Sequence, residues 1–123
     1  DNAGSYSTDG GTFNGGPDRN QVHCTGYDPQ SGSPTFNGGT GTDNVESFIS
    51  GTFNGSVGDD SVDVMHNGAF NGGLGNDIVT SLTDGTFNGN AGEDSVTTMN
   101  GGTFNGGLGT DMVTTFNGGT FNQ

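Results

Sequence analysis

Gly85-Thr-Phe-Asn-Gly-Asn-Ala-Gly-Glu-Asp-Ser-Val-Thr-Thr-Met-Asn-Gly101 is followed without a gap by Gly102-Thr-Phe-Asn-Gly-Gly-Leu-Gly-Thr-Asp-Met-Val-Thr-Thr-Phe-Asn-Gly118. The same order of residue kinds runs outward from this pair in both directions. Its anchor is a phenylalanine followed by asparagine, at Phe13, Phe36, Phe53, Phe70, Phe87, Phe104 and Phe121. From Phe36 onward every interval is 17 residues, and the first is 23. A fixed period this short means one small unit stacked on copies of itself. The expectation is an all-β chain, a β-solenoid (β-roll or β-helix) of about seven stacked coils with a 17-residue period.

Three columns are reliably apolar. The Phe column is one. Nine residues later stands Val22, Val45, Val62, Val79, Val96 or Val113, and twelve later, in the regular coils, Phe48, Met65, Leu82, Met99 or Phe116. These columns must face inward. Side chains alternate along a strand, so the residues flanking each Phe face outward: Thr12, Thr35, Thr52, Ala69, Thr86, Thr103 and Thr120 before it, and an Asn after it. Each coil reads as a Thr-Phe-Asn strand, a Gly-rich turn, a strand around the Val, and a return turn. Residues 1–10 form an N-terminal half coil or end segment, and residues 11–123 the solenoid, with a loop inserted at 28–33 whose base Tyr27 covers. Coils with Gly-Gly after the Asn alternate with Gly55-Ser56 and Gly89-Asn90. Helix is excluded by the density of glycine and the lack of a 3.6-residue stripe.

Composition bounds the function. Only 25% of the 123 residues are hydrophobic, too few for an ordinary globular core, whereas stacked coils need only a few inward residues each. The 27 glycines suit a tight turn at each half coil. The net charge is −13 and Arg19 is the one strong base, so nucleic acid and anionic membranes are poor partners and divalent cations good ones. No apolar run reaches membrane-spanning length. A chain that begins at Asp1 fits a secreted, extracellular protein whose signal peptide has been removed. Cys24 stands alone, which excludes an internal disulfide framework.

The turn after each Asn carries the strongest chemical signal. Gly38-Gly-Thr-Gly-Thr-Asp-Asn-Val45 recurs as Gly72-Gly-Leu-Gly-Asn-Asp-Ile-Val79 and Gly106-Gly-Leu-Gly-Thr-Asp-Met-Val113. Gly55-Ser-Val-Gly-Asp-Asp-Ser-Val62 and Gly89-Asn-Ala-Gly-Glu-Asp-Ser-Val96 miss only the second Gly. Stacking puts Asp43, Asp60, Asp77, Asp94 and Asp111 in one column, neighbours about 5 Å apart. Like charges at that distance repel by roughly 1 kcal/mol per pair in water and several times more in a lower dielectric. A cation between them relieves this, and Ca2+ accepts carboxylates together with the carbonyls that Gly turns expose. Asp59 and Glu93 add charge beside two of the positions. The alternative is a solvated acidic edge that keeps rods apart.

The motif resembles the calcium-binding β-roll of the repeats-in-toxin (RTX) family, whose repeat is Gly-Gly-x-Gly-x-Asp-x-apolar-x. The resemblance implies a calcium-bound solenoid with metal at the five Asp positions. That family uses two such repeats per coil. Here one half of each coil matches, so at most one calcium row is expected. The first copy, Gly15-Gly-Pro-Asp-Arg-Asn-Gln-Val22, has Asn20 in the Asp column and Arg19 beside it, which argues against a site there. RTX modules serve many unrelated proteins, so the resemblance speaks to fold and metal more than to role.

Two functions suit such a rod. The first is a structural subunit that assembles head to tail into extracellular filaments. Thr120, Phe121, Asn122 and Gln123 form half of a coil, and Asp1, Asn2, Ala3, Gly4, Ser5 and Tyr6 resemble its continuation. In that joint Asn2 takes the turn position of Asn90, and Ser5 or Tyr6 falls in the Asp column. Such a contact is heterologous and propagates as a fibre. Residues 1–10 folding over one end as a cap is the competing arrangement. The second function is ice binding by the flat, uncharged array of Thr35, Asn37, Thr52, Asn54, Asn71, Thr86, Asn88, Thr103 and Asn105. Such ladders also stabilise stacked coils by bonding to themselves. An enzyme is not expected. His23 and Cys24 are adjacent on a strand and point to opposite faces, and His66 stands alone.

Overall fold

The computed structural model describes residues 2–3, 7–8, 11–25 and 34–123, with the backbone alone at 2–3, 7–8 and 23–25. The inserted loop 28–33 and Tyr27 lie outside the described residues. The strands, in chain order, are β1 (Asn2–Ala3), β2 (Ser7–Thr8), β3 (Thr12–Gly16), β4 (Asn20–Thr25) and β5 (Thr35–Thr40). Then come β6 (Asn44–Phe48), β7 (Thr52–Val57), β8 (Ser61–Met65), β9 (Ala69–Leu74) and β10 (Ile78–Leu82). The last are β11 (Thr86–Ala91), β12 (Ser95–Met99), β13 (Thr103–Leu108), β14 (Met112–Phe116) and β15 (Thr120–Asn122). Among the described residues there is no helix.

Among the described residues all strand pairing is parallel, and the solenoid strands pair with their counterparts one coil away. One sheet stacks β3, β5, β7, β9, β11, β13 and β15, which carry the Phe column. The other stacks β4, β6, β8, β10, β12 and β14, which carry the Val column, with β1 and β2 both added beside β4. The result is a parallel β-solenoid with seven ranks of Phe. Five full turns of 17 residues separate Phe36 from Phe121. Backbone bonds tie each return turn to the next coil, as where Thr86 N donates to Gly68 O at 2.9 Å and Thr103 N to Gly85 O at 2.8 Å.

The core is the three expected columns. Phe36, Phe53, Phe70, Phe87 and Phe104 are buried with Val22, Val45, Val62, Val79 and Val96, and with Phe48, Met65, Leu82 and Met99. From Phe36 on, successive rings stack at 4.6–4.9 Å and within 5–12° of parallel. Phe13 meets Phe36 at 47°, across the one interval that is not 17 residues. Burial of one such ring contributes about 2–3 kcal/mol, and the stacked geometry adds to it.

Strict alternation would turn Phe48 outward, because it lies three residues after Val45. In β6 the residues between them, Glu46 and Ser47, are both only partly buried. The ladder skips Glu46, pairing Val45 with Val62 and Ser47 with Val64. A bend at that point lets both apolar columns face in, and it repeats in every coil of this sheet.

The second residue of the Gly-Gly pair and its counterparts share one backbone conformation. Gly39, Ser56, Gly73, Asn90 and Gly107 form one column, and all have positive φ, including Ser56 at 81° and Asn90 at 79°. A Cβ on Gly73 would strike the carbonyl of Ser56, and one on Gly107 that of Asn90. A Cβ on Gly39 would equally strike the carbonyl of Gly16, so a side chain in this left-handed position is strained in any rank; among the described residues Ser56 and Asn90 carry one.

Candidate functional site

The acidic turn sits where the Phe sheet passes into the Val sheet. Asp43 and Asp60 are 0% exposed, Asp77 and Asp94 1%, and Asp111 8%. The five carboxylates therefore form one buried ladder, and the solvated acidic edge is excluded. Carboxylates are rarely enclosed like this without compensation.

Half of each carboxylate is compensated. Asp43 N donates to Asp60 Oδ1, Asp60 N to Asp77 Oδ1 and Asp77 N to Asp94 Oδ1, each at 2.8 Å, and Asp94 N to Asp111 Oδ1 at 3.0 Å. Each Asp thereby anchors the turn of the coil before it. The other oxygen, Oδ2, is buried and has no hydrogen-bond partner in any of the five. Each Oδ2 faces the first glycine of its own motif. A Cβ on Gly38, Gly55, Gly72, Gly89 or Gly106 would collide with the Oδ2 of Asp43, Asp60, Asp77, Asp94 or Asp111 respectively. Carbonyl oxygens of the next coil converge on the same place. Gly72 O lies 2.7 Å, and Gly55 O 3.2 Å, from a Cβ built on Gly55 and Gly38.

Oxygen therefore faces oxygen along the interior of the turn. Burial pushes the Asp60 carboxyl up to about 7; the Asp43 amide opposes the rise, while the Asp43 and Asp59 carboxylates add to it. Asp77 is likewise pushed up to about 7, chiefly by burial, against the Asp60 amide and with help from Asp60, Asp94 and Asp59. Asp43 and Asp94 are raised for the same principal reason. A positive partner at the Oδ2 of Asp43, Asp60, Asp77 and Asp94, either a proton or a cation, would relieve this.

An all-oxygen donor set of carboxylate and backbone carbonyl suits a hard cation such as Ca2+. Among the described residues no three acidic, His or Cys side chains converge. A cation here would thus draw on one or two Asp oxygens and complete its shell with Gly carbonyls. The residues present fit that chemistry.

Asp59 and Glu93 stand elsewhere, on the exposed outer side of the turn. Asp59 Oδ1 accepts from Asn76 N, and Asn76 Oδ1 from Glu93 N, both at 2.8 Å. They make a second, outer rung of side chain to backbone bonds, and the Asp59 carboxylate adds charge that raises Asp60 and Asp77.

Sequence reasoning set Asn20 aside, and the structure makes it part of the ladder. It is 0% exposed, its N donates to Asp43 Oδ1 at 2.8 Å, and its Nδ2 donates to the same oxygen at 2.9 Å. The signal was its place in the Asp column. The first glycine of each motif was equally legible as a constant, yet its reason, the carboxylate pressed against it, was not.

The Thr/Asn face is ordered as expected. Asn122, Asn105, Asn88, Asn71, Asn54 and Asn37 each donate Nδ2 to the Oδ1 of the Asn one coil earlier, at 2.8–2.9 Å. Thr35, Thr52, Thr86 and Thr103 are half-buried beside them. At the proposed joint, Thr120, Phe121 and Asn122 continue the Phe sheet as β15. Asp1, Gly4, Ser5 and Tyr6 lie outside the described residues. Asn2 pairs with Asn20 and Ala3 with Gln21, so Asn2 takes the Asp-column register that sequence reading gave to Ser5 or Tyr6. His66 is exposed, and the side chains of His23 and Cys24 are outside the description.

Comparison with protein-family models, curated proteins and solved structures gives no match to this chain.

Proposed function

We propose that this chain is an extracellular structural module, a non-catalytic rod whose folding is completed by calcium in a manner similar to RTX β-rolls. The observation that carries this is the set of five buried, unpartnered Oδ2 atoms. Leaving a buried carboxylate oxygen unsatisfied costs several kcal/mol per group, and repetition along the column multiplies the cost. A cation held by Asp43, Asp60, Asp77, Asp94 and Asp111 would supply the missing positive charge. Calcium outside cells is abundant enough to fill sites of modest affinity.

Assembly is head to tail in this reading. A second copy would meet residues 120–123 of the first with its residues 1–6. Circular dichroism and electron microscopy, each with millimolar calcium and with chelator at pH 8, test both parts. An unchanged spectrum under chelator removes the metal from the proposal. Discrete particles one molecule long, in place of fibres, remove the assembly.

A second reading is ice binding, favoured by the flatness of the Phe sheet. From Phe36 on, the rings lie within 12° of parallel and the Asn ladder is unbroken, as a sheet with little twist from rank to rank would give. Such a face presents a regular lattice of hydroxyl and amide groups. Thermal hysteresis in dilute solution, lost in Thr86→Tyr, would support this reading, and its absence in the native protein would end it.

A further inference from the structure

We infer that Asn20 is a built-in amide plug, closing the cation row at its N-terminal end by standing where the later coils take an ion. The inference rests on the calcium reading above and adds to it where the row stops and why.

Asn20 occupies the ladder position of the first motif, and its Nδ2 takes the place of an Asp Oδ2. A Cβ on Gly15 would collide with Asn20 Nδ2 just as one on Gly38 would with Asp43 Oδ2. The same kind of carbonyl approaches: Gly38 O lies 2.9 Å from that Cβ. The electrical outcome is opposite. Asn20 Nδ2 donates to Asp18 O at 2.8 Å, to Asp43 Oδ1 at 2.9 Å and to Gly38 O at 3.4 Å. Three oxygens thus surround a donor. One coil on, Asp43 Oδ2 presents an acceptor to its own surroundings and has no partner. A side-chain amide supplies in the first coil, from within the chain, the positive hydrogens that a cation would supply in the others.

The consequence is a definite row. Ions belong between successive carboxylates, at Asp43/Asp60, Asp60/Asp77, Asp77/Asp94 and Asp94/Asp111, and none belongs between Asn20 and Asp43. The plug also leaves the coil containing the 28–33 insertion independent of metal at this turn. Arg19, next to Asn20, is exposed and leaves the interior to the amide.

The test counts bound calcium on the whole chain by equilibrium dialysis, comparing native protein with Asn20→Asp and Asp43→Asn. Asp84→Asn serves as a charge control, since Asp84 is exposed, lies outside the Asp column and accepts from its neighbour Gly85 N. Asn20→Asp is expected to bind one more ion than the native chain, Asp43→Asn one fewer, and Asp84→Asn the same number. If the native chain binds ions and Asn20→Asp and Asp43→Asn both keep its count, the plug is overturned and the calcium reading stands. If the native chain binds none, the calcium reading itself falls, and the plug with it. Should Asn20→Asp fail to fold even in calcium, Asp43→Asn decides alone: one ion fewer supports the plug, an unchanged count overturns it.

Discussion

Asp77→Asn should stabilise this protein when calcium is withheld and destabilise it when calcium is present. Asp77 is 1% exposed, with Oδ1 bonded to Asp60 N and Oδ2 bonded to nothing. Burial pushes its carboxyl up to about 7, so holding it ionised at pH 8 costs the folded state roughly 4 kcal/mol relative to an ordinary aspartate. Asparagine carries no such cost. Its Nδ2 would meet acceptor oxygens as Asn20 Nδ2 does, for about 1 kcal/mol per bond made. Against this, the bond from Asp60 N would end on an amide oxygen instead of a carboxylate, a loss of about 1 kcal/mol. The net expectation in chelator at pH 8 is a gain of about 3–4 kcal/mol, for none or one such bond made, which for a domain of this size raises the unfolding midpoint by roughly 10–15 °C. In millimolar calcium the sign reverses, because the variant loses a ligand shared by two positions of the row, and ligand binding to the native state no longer contributes there. Thermal unfolding followed by circular dichroism in the two media reads both signs. A variant less stable than the native chain in chelator as well would refute the reasoning, since the carboxylate would then be favourable without any cation.

Protons should substitute for calcium in the same ladder. Asp60 and Asp77, raised to about 7, bind protons in the folded chain that they release when unfolded, so in chelator stability is highest near pH 4 and falls as pH rises through 7. Urea midpoints at pH 5 and pH 8 check this, and calcium should flatten the difference by lifting the pH 8 value. Gly55→Ala places a methyl against Asp60 Oδ2 and 2.7 Å from Gly72 O, and is expected to cost about 3 kcal/mol by denaturant titration. Ser56→Gly relieves a non-glycine residue at φ 81° and should gain about 1 kcal/mol in the same assay.

The 17-residue period was enough to determine what stacks on what. In a parallel solenoid with a constant repeat, each residue lies over its own counterpart, so the Phe, Val, Asn and Asp columns are consequences of counting alone. The large apolar columns had to be inside, because nothing else in the coil can form a core. Where the count broke, so did the inference. The 23-residue first interval tilts Phe13, and β1 sets Asn2 over Asn20, a register the turn pattern did not suggest. Tertiary structure supplied the means by which the Phe48 column reaches the interior it had to occupy, a bend at Glu46 that overrides alternation. It also decided how the turn residues point. The turn after Gly38 carries Asp43 into the interior, commits one of its oxygens to an amide and leaves the other facing glycine. Periodicity says which residues meet their copies, whereas the orientation of a turn residue depends on φ and ψ values set jointly by two neighbouring coils. No single repeat contains that information, since the amide that holds each Asp belongs to the coil before it.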